Sequence, residues 1–440
     1  MLAVAFAACS GGGATTTTPD PSTGSGVVAP GVGTGSAPTP TPTPAPPGSP
    51  ATPTPAPTPT PGPSAPAANA AIHAPSGFLV SQIAQVGGAR ELAALPNGDL
   101  IVGTSGSSIV IIPNAESPGA VSAPSTFATL PDSPAQGIAY GSNFIFVATQ
   151  HGVYRIPYTT GARTGTASQI ASVRTGQVAP NSDGDVHTTS SIAVSGSTLY
   201  VGVGSSCNAC TEVDPTRATV QKMGLDGSGM TTQAKRLRNA IALAADPSTG
   251  TVWAGGAGQD SLPSGHPFEF MDAVSTHAAP ADYGWPQCEE NHVAYTSGTD
   301  CSATIAPALE FPAYSTIIGA SFYPASQSGT FAFPAAWHGG MFLALHGSWH
   351  STNSIPDDPP HVAFAPFSGA MPATAVNWSN PSAQWSDFLT GFQNGSGARV
   401  ARTTGITVGV QGSLFVADDQ NGWILRIRPT SSATSSVRRK

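Results

Sequence analysis

From residue 73 to about residue 430 the chain repeats one short pattern. An apolar strand is followed by a turn of Gly, Asn, Asp or Ser, and then by a second apolar strand that ends in small residues. The copies are RELAALPNGDLIVGT from Arg90, QGIAYGSNFIFVAT from Gln136, SSIAVSGSTLYVGV from Ser190, RNAIALAADPSTGTVWAGG from Arg238, IGASFYPASQSGTF with GGMFLAL from Ile318, and TGITVGVQGSLFVADD from Thr404. Each is followed by a third strand: SIVIIP, GVYRIP, TVQKMG, FEFMDAV, HVAFAPF and WILRIRP. Short strands with turn signals, and no amphipathic helical run of a dozen residues, predict an all-β array of units that cannot bury their faces alone. Six copies over this length, at about sixty residues each, predict a six-bladed β-propeller.

This geometry predicts where function lies. If the first strand of each unit is innermost and the strands are antiparallel, the start of strand one and the end of strand two share one face of the disc. The long insertions CNACTEVDPTRAT, QDSLPSGHP and HGSWHSTNSIPDDPP leave second strands and open on that face. Polar residues stand just before the first strands there: Arg90, Gln136, His187, Arg238 with Asn239, and Arg402. A ring of polar side chains around a channel mouth is the expected place for a binding or catalytic site.

Composition changes the picture at the front of the chain. Residues 10–72 form a Pro/Thr/Ala tract with almost nothing to anchor a core, which predicts a disordered, semi-rigid tether. Residues 1–9 read as a lipoprotein-type signal segment in which Cys9 would become the lipidated first residue, although no basic stretch precedes it. No later run of eighteen apolar residues follows, so membrane contact is expected only through that lipid, and the expected location is the cell envelope, exported. Residues 431–440 read as a disordered basic tail. Apart from Cys9, the four cysteines Cys207, Cys210, Cys288 and Cys301 allow three disulfide connectivities in an oxidising compartment, of which Cys207 with Cys210 and Cys288 with Cys301 is favoured. The net charge of −8, from 16 basic and 24 acidic residues, makes nucleic acid a poor partner.

HTTSSIAVSGSTLYVGVGSSCNAC, LRNAIALAADP with TVWAGGAGQD, DYGWPQC, FLALHGSW, and DFLTGF followed by GSLFVADDQNG together resemble the sorbosone/glucose dehydrogenase family. These are soluble quinoproteins that use pyrroloquinoline quinone (PQQ) and calcium, and the likeness is greatest to the sorbosone-dehydrogenase-like branch. The resemblance implies oxidation of an aldose or sugar aldehyde, with electrons passed to an external acceptor. It implies His187 as the general base and Arg238 as the arginine near the reactive quinone carbonyl. Gln136, Asn239, Arg402 and Asp419 are implied as cofactor-binding, and the backbone carbonyls of Gly258 and Gln259 as calcium ligands. An imidazole suits proton abstraction near neutral pH, a guanidinium suits a carboxylate, and calcium takes carbonyl oxygens. No Cys-x-x-Cys-His occurs, so the chain is expected to carry no haem of its own.

The sequence departs from that pattern in places. Val186 stands before His187 where the glucose dehydrogenases have an acid, with Asp185 nearby. Thr404 replaces a second arginine, Gln259 and Ala240 replace prolines, and Tyr314 stands where the branch more often has His. His346 and His350 have i,i+4 spacing, but Gly347 and the loop setting argue against a helical metal site, and His346 is expected at the pocket edge. Tyr283 and Trp285 are expected as core or loop anchors. A second reading is a lipid-tethered propeller without its cofactor that binds carbohydrate or a protein partner. Val186 and Thr404 point toward it, whereas His187, Arg238, Asn239, Arg402 and Gly258 point toward the enzyme.

Overall fold

A computed structural model describes residues 69–173, 187–188, 190–262, 265–288, 291–348 and 358–430. The chain divides into two compact units, 1–59 and 60–440, and every described residue lies in the second. The lipoprotein segment, most of the tether, Asp185, Val186, His350 and the basic tail lie outside the described residues.

Among the described residues, six sheets repeat one plan of four antiparallel strands. The first strands are Ala89–Ala94, Gly137–Gly141, Ser190–Ser195, Asn239–Ala245, Ile317–Phe322 and Thr403–Val408, and each pairs with the strand that follows it. First strands of neighbouring sheets touch in a closed cycle, so the molecule is a six-bladed β-propeller with these strands innermost. Each sheet also has an outer strand that the repeat pattern did not reveal, such as Ser125–Thr129 or Ser386–Leu389. The sixth blade takes its outer strand from the opposite end of the chain. Phe78–Gln85 pairs antiparallel with Trp423–Pro429, from Phe78 against Pro429 to Gln85 against Trp423, and so closes the ring.

The second strands explain the period of the sequence. Leu100–Thr104, Met341–Leu345 and Leu414–Asp418 are buried along their whole length, because a blade packs on each of their faces. Six apolar clusters hold the ring, one in each seam between neighbouring blades. Between the fifth and sixth blades, for example, Phe342, Phe364 and Phe388 meet Ile406, Leu414 and Val416. The small residues that end the second strands have a packing cause. A Cβ on Gly103 would stand 2.3 Å from the carbonyl oxygen of Gln136 in the next blade, and one on Gly202 would stand 1.8 Å from that of Ala240.

In blades three, four and five the second strands end opposite the starts of the first strands, at Val203, Ala257 and Leu345, so the residues that follow leave on that face. Cys207 pairs with Cys210 and Cys288 with Cys301, with Cα separations of 6.1 and 5.7 Å. The segment between the third and fourth strands of blade four folds back on blade three, where Ala281–Asp282 runs parallel to Thr231–Lys235. Tyr283 and Trp285 follow on this segment and are buried as anchors. The Tyr283 hydroxyl donates to Asp272 Oδ2 at 2.5 Å, and the Trp285 indole donates to the Asn208 carbonyl at 3.2 Å.

The seams should dominate stability. Phe342 is fully buried, with the rings of Phe364 and Phe388 each 4.8 Å away. Phe342→Ala should therefore cost about 3–5 kcal/mol, read as a lowered denaturant midpoint. A loss under about 1 kcal/mol would mean that this seam does not hold the blades.

Candidate active site

Residues just before the inner strands emerge on one face and there form a nearly continuous polar rim. Starting at blade four, Arg238 Nη1 donates to the Gly258 carbonyl at 2.6 Å. The Gly258 amide donates to Glu269 Oε1 at 3.3 Å, and the Thr316 amide donates to Glu269 Oε2. The Thr316 carbonyl accepts from the His346 amide at 2.9 Å. His346 Nε2 lies 3.1 Å from Asp419 Oδ1, Arg402 Nε donates to the His346 carbonyl at 3.2 Å, and Arg90 Nη1 donates to Asp419 Oδ2 at 2.6 Å. Arg90 Nε then reaches Gln136 Oε1 of blade two at 3.2 Å. Blades four, five, six, one and two are thus linked edge to edge.

His187 supplies blade three. A Cβ built on Gly204 would lie 2.5 Å from His187 Cβ and 2.8 Å from Asn239 Oδ1, so only glycine lets these two residues flank the same point. The imidazole Nδ1 stands 3.0 Å from the Ser205 carbonyl and 2.9 Å from Ser205 Oγ. That hydroxyl gives its own hydrogen to the Cys207 carbonyl at 2.7 Å. Both neighbours of Nδ1 therefore act as acceptors, which places the proton on Nδ1 and leaves the lone pair on Nε2. Burial lowers the imidazole pKa to about 3, helped by the charges of Arg238 and Arg217. The His187 imidazole is therefore neutral at physiological pH.

Arg238 is held on several sides. Its Nε and Nη2 donate to the carbonyl and Oδ1 of Asn208 at 3.0 and 2.8 Å, and Nη2 also reaches Asp260 Oδ2 at 3.0 Å. Beneath it, burial pushes the Glu269 carboxyl up to about 8, against the pull of two backbone N–H donors and Arg238. Asp419 is held below its ordinary value, because His346, Arg90 and Arg402 outweigh the upward push of burial. His346 is lowered to about 4, chiefly by burial.

The rim suits an anionic, planar ligand in kind, since it carries the guanidiniums of Arg90, Arg238 and Arg402 beside the neutral amides of Gln136 and Asn239. Arg402 donates through Nε and Nη2 to the carbonyls of His346, Gly347 and Ser348. Its Nη1 has no partner among the described residues. For a calcium ion the fit rests on Gln259, whose side-chain oxygen is buried without a hydrogen-bond partner. The Gly258 carbonyl already accepts Arg238, and of its two lone pairs one stays open.

All eight site residues expected from the sequence lie on the described chain, and the contacts above bring each except Gln259 into the rim; Gln259 follows Gly258 directly. Sequence reasoning named Arg90 and His346 only as members of the ring or its edge, and it missed Glu269, Ser205, Asn208 and Asp260. The one available signal was Glu269, a lone acid between Phe268 and Phe270. Among the departures, Thr404 is buried, and its hydroxyl turns to the Ala89 carbonyl at 3.4 Å, next to Arg90. The Tyr314 hydroxyl accepts the Ser261 amide at 3.3 Å and so steadies the loop after Gly258.

No protein-family model matches the chain, and no curated protein matches its sequence. Among solved structures, the holo PQQ domain of a pyranose dehydrogenase from Coprinopsis cinerea superposes with a TM-score of 0.65 at 17% identity, covering 83% of this chain and 99% of that one. The PQQ-bound aldose sugar dehydrogenase of Streptomyces coelicolor gives 0.53 at 17%, over 81% and 99%. The apo form of the soluble aldose sugar dehydrogenase of Escherichia coli gives 0.53 at 15%, over 80% and 99%. The chain therefore shares its fold with these three solved structures.

Proposed function

We propose that this protein is a PQQ-dependent dehydrogenase of an aldose or sugar aldehyde, with His187 as base. The observation that supports the reading best is the rim itself. A neutral imidazole with its lone pair on Nε2 flanks Asn239 beside a belt of hydrogen bonds that carries three guanidiniums. When bound, PQQ supplies a two-electron acceptor for hydride and calcium supplies a Lewis acid for its carbonyl. Arg90, Arg402 and Arg238 would hold the anionic cofactor, Gln136 and Asn239 would border it, and Gly258 with Gln259 would hold the metal.

His187 then has a defined task. Nε2 takes the proton of the substrate hydroxyl as hydride leaves the same carbon, and the Nδ1 proton stays on Ser205. Asp419 acts at one remove, since it fixes Arg90 and His346. Arg90 offsets the guanidinium missing at Thr404, which weakens the cofactor-free reading. The two disulfides agree with an exported protein, and attachment through a lipid on Cys9 remains part of the proposal.

Purified protein given PQQ and calcium should keep quinone absorbance through desalting and reduce a dye with aldoses. If no absorbance is retained, the cofactor-free propeller is the better reading. His187→Ala should lower turnover about 10²- to 10⁴-fold with little change in thermal unfolding. Arg402→Ala should weaken PQQ binding by roughly tenfold to a hundredfold, as expected for a charge-assisted contact.

The pH dependence has a definite sign. The His187 pKa is lowered in the fold, so the imidazole stays an unprotonated base as pH falls from 7 to 5, beside the guanidiniums of Arg238 and Arg217. The acid limb of kcat/KM should lie below pH 5 on its account. The unfolded chain takes up this proton near pH 6.5, so His187 costs stability progressively as pH falls from there toward 3. His187→Gln should flatten that part of the stability profile, and an unchanged profile would mean that the imidazole is not desolvated.

A further inference from the structure

The loop from Ser205 to Cys210 touches both groups assigned to chemistry. Ser205 offers two acceptors to His187 Nδ1, and its amide donates to the Arg238 carbonyl at 2.7 Å. Three residues on, Asn208 takes the Arg238 guanidinium through its carbonyl and its Oδ1. The same Oδ1 accepts the Asp260 amide at 2.8 Å, and Asn208 Nδ2 donates to the Asp260 carbonyl at 3.1 Å, so the loop also grips the segment after Gly258 and Gln259. The disulfide between Cys207 and Cys210 closes this turn. Cys207 is fully buried against Ala218 and Trp285, and the Cys207 carbonyl orients the Ser205 hydroxyl. Ser206 is tied down as well, by both carboxylate oxygens of Glu212 at 2.7 Å.

We propose that this disulfide-closed loop is the positioning element of the site. Ser205 sets the tautomer of His187 and Asn208 sets the plane of Arg238, so base and guanidinium are placed relative to each other by one short covalent turn. In this role Ser205 acts through uncharged acceptors, its carbonyl and its hydroxyl oxygen. A hydroxyl with its hydrogen committed elsewhere fixes the imidazole as an acceptor without adding a charge that would raise its pKa. The inference rests on the dehydrogenase reading only for its consequence in turnover, since the positioning itself belongs to the cofactor-free protein.

The test uses apo protein and the nitrogen-15 spectrum of the histidine rings, with the His187 signal assigned by its loss in His187→Gln. At pH 7 wild-type His187 should show a single tautomer, protonated at Nδ1. Cys207→Ser/Cys210→Ser should convert it to a mixture, and its Arg238 side-chain N–H groups should exchange with solvent at least tenfold faster. Should that variant fail to fold, two single changes carry the test. Ser205→Ala should let the second tautomer appear, and Asn208→Ala should speed Arg238 exchange, with Asn208→Asp restoring protection in part because it keeps the acceptor. In loaded enzyme the same variants should lose about a hundredfold in turnover, the scale of a small misplacement of catalytic groups. A folded double-cysteine variant, or single variants, with the wild-type tautomer and Arg238 protection would overturn the proposal. If the apo signals move as described while wild type binds no PQQ, the positioning role stands and the dehydrogenase reading falls.

Discussion

Each blade of this protein has two apolar faces and, among the described residues, no α-helix to cover them. That constraint is met by sharing, since every seam is built from the facing sides of two blades and the ring needs all six. Closure therefore governs the rest. The strand Phe78–Gln85 returns from the front of the chain to pair with Trp423–Pro429, and blade six becomes a full sheet between blades five and one. The inner strands then approach so closely that glycine is required where a second strand ends beside the next blade. That close approach brings together side chains separated by hundreds of positions, as with Arg90 and Asp419.

The rim that results is a balance of charges under burial. Arg90 and His346 converge on Asp419 and keep it ionised, while Glu269 is so enclosed that its carboxyl is pushed up to about 8 even with Arg238 near. The His187 ring is oriented by uncharged acceptors, the carbonyl and hydroxyl of Ser205. An acid beside the imidazole would favour its charged form, whereas the Ser205 hydroxyl and carbonyl orient the ring and leave it neutral. The loops that hold these groups are pinned by a disulfide on one side and by Trp285 on the other, so the site rests on rigid supports rather than on free loop ends.

Much of this was legible along the chain because a propeller writes its period into the sequence. Paired apolar strands with small residues at the end of the second gave the blade count, and antiparallel order alone placed the long loops and the polar residues on one face. Outer strands escaped notice because they are short and half exposed, as with Ser168–Ser172, and carry little apolar signal. In the pair Asp418 and Asp419, strand parity separates the roles. Asp418 is fully buried and accepts the amides of Arg402, Gln420 and Asn421, while Asp419 faces Arg90 and His346.

The sequence by itself determined the architecture, the sharing of one face by the polar residues, and the presence of an imidazole and guanidiniums there, because these follow from local periodicity and chain direction. Tertiary structure alone decided which atoms meet. It put Arg90 beside the position of Thr404, brought Glu269 under Gly258, and turned Ser205 and Asn208 toward His187 and Arg238. Such contacts depend on the distance and angle between separate blades and loops, and no pattern within a single strand encodes them.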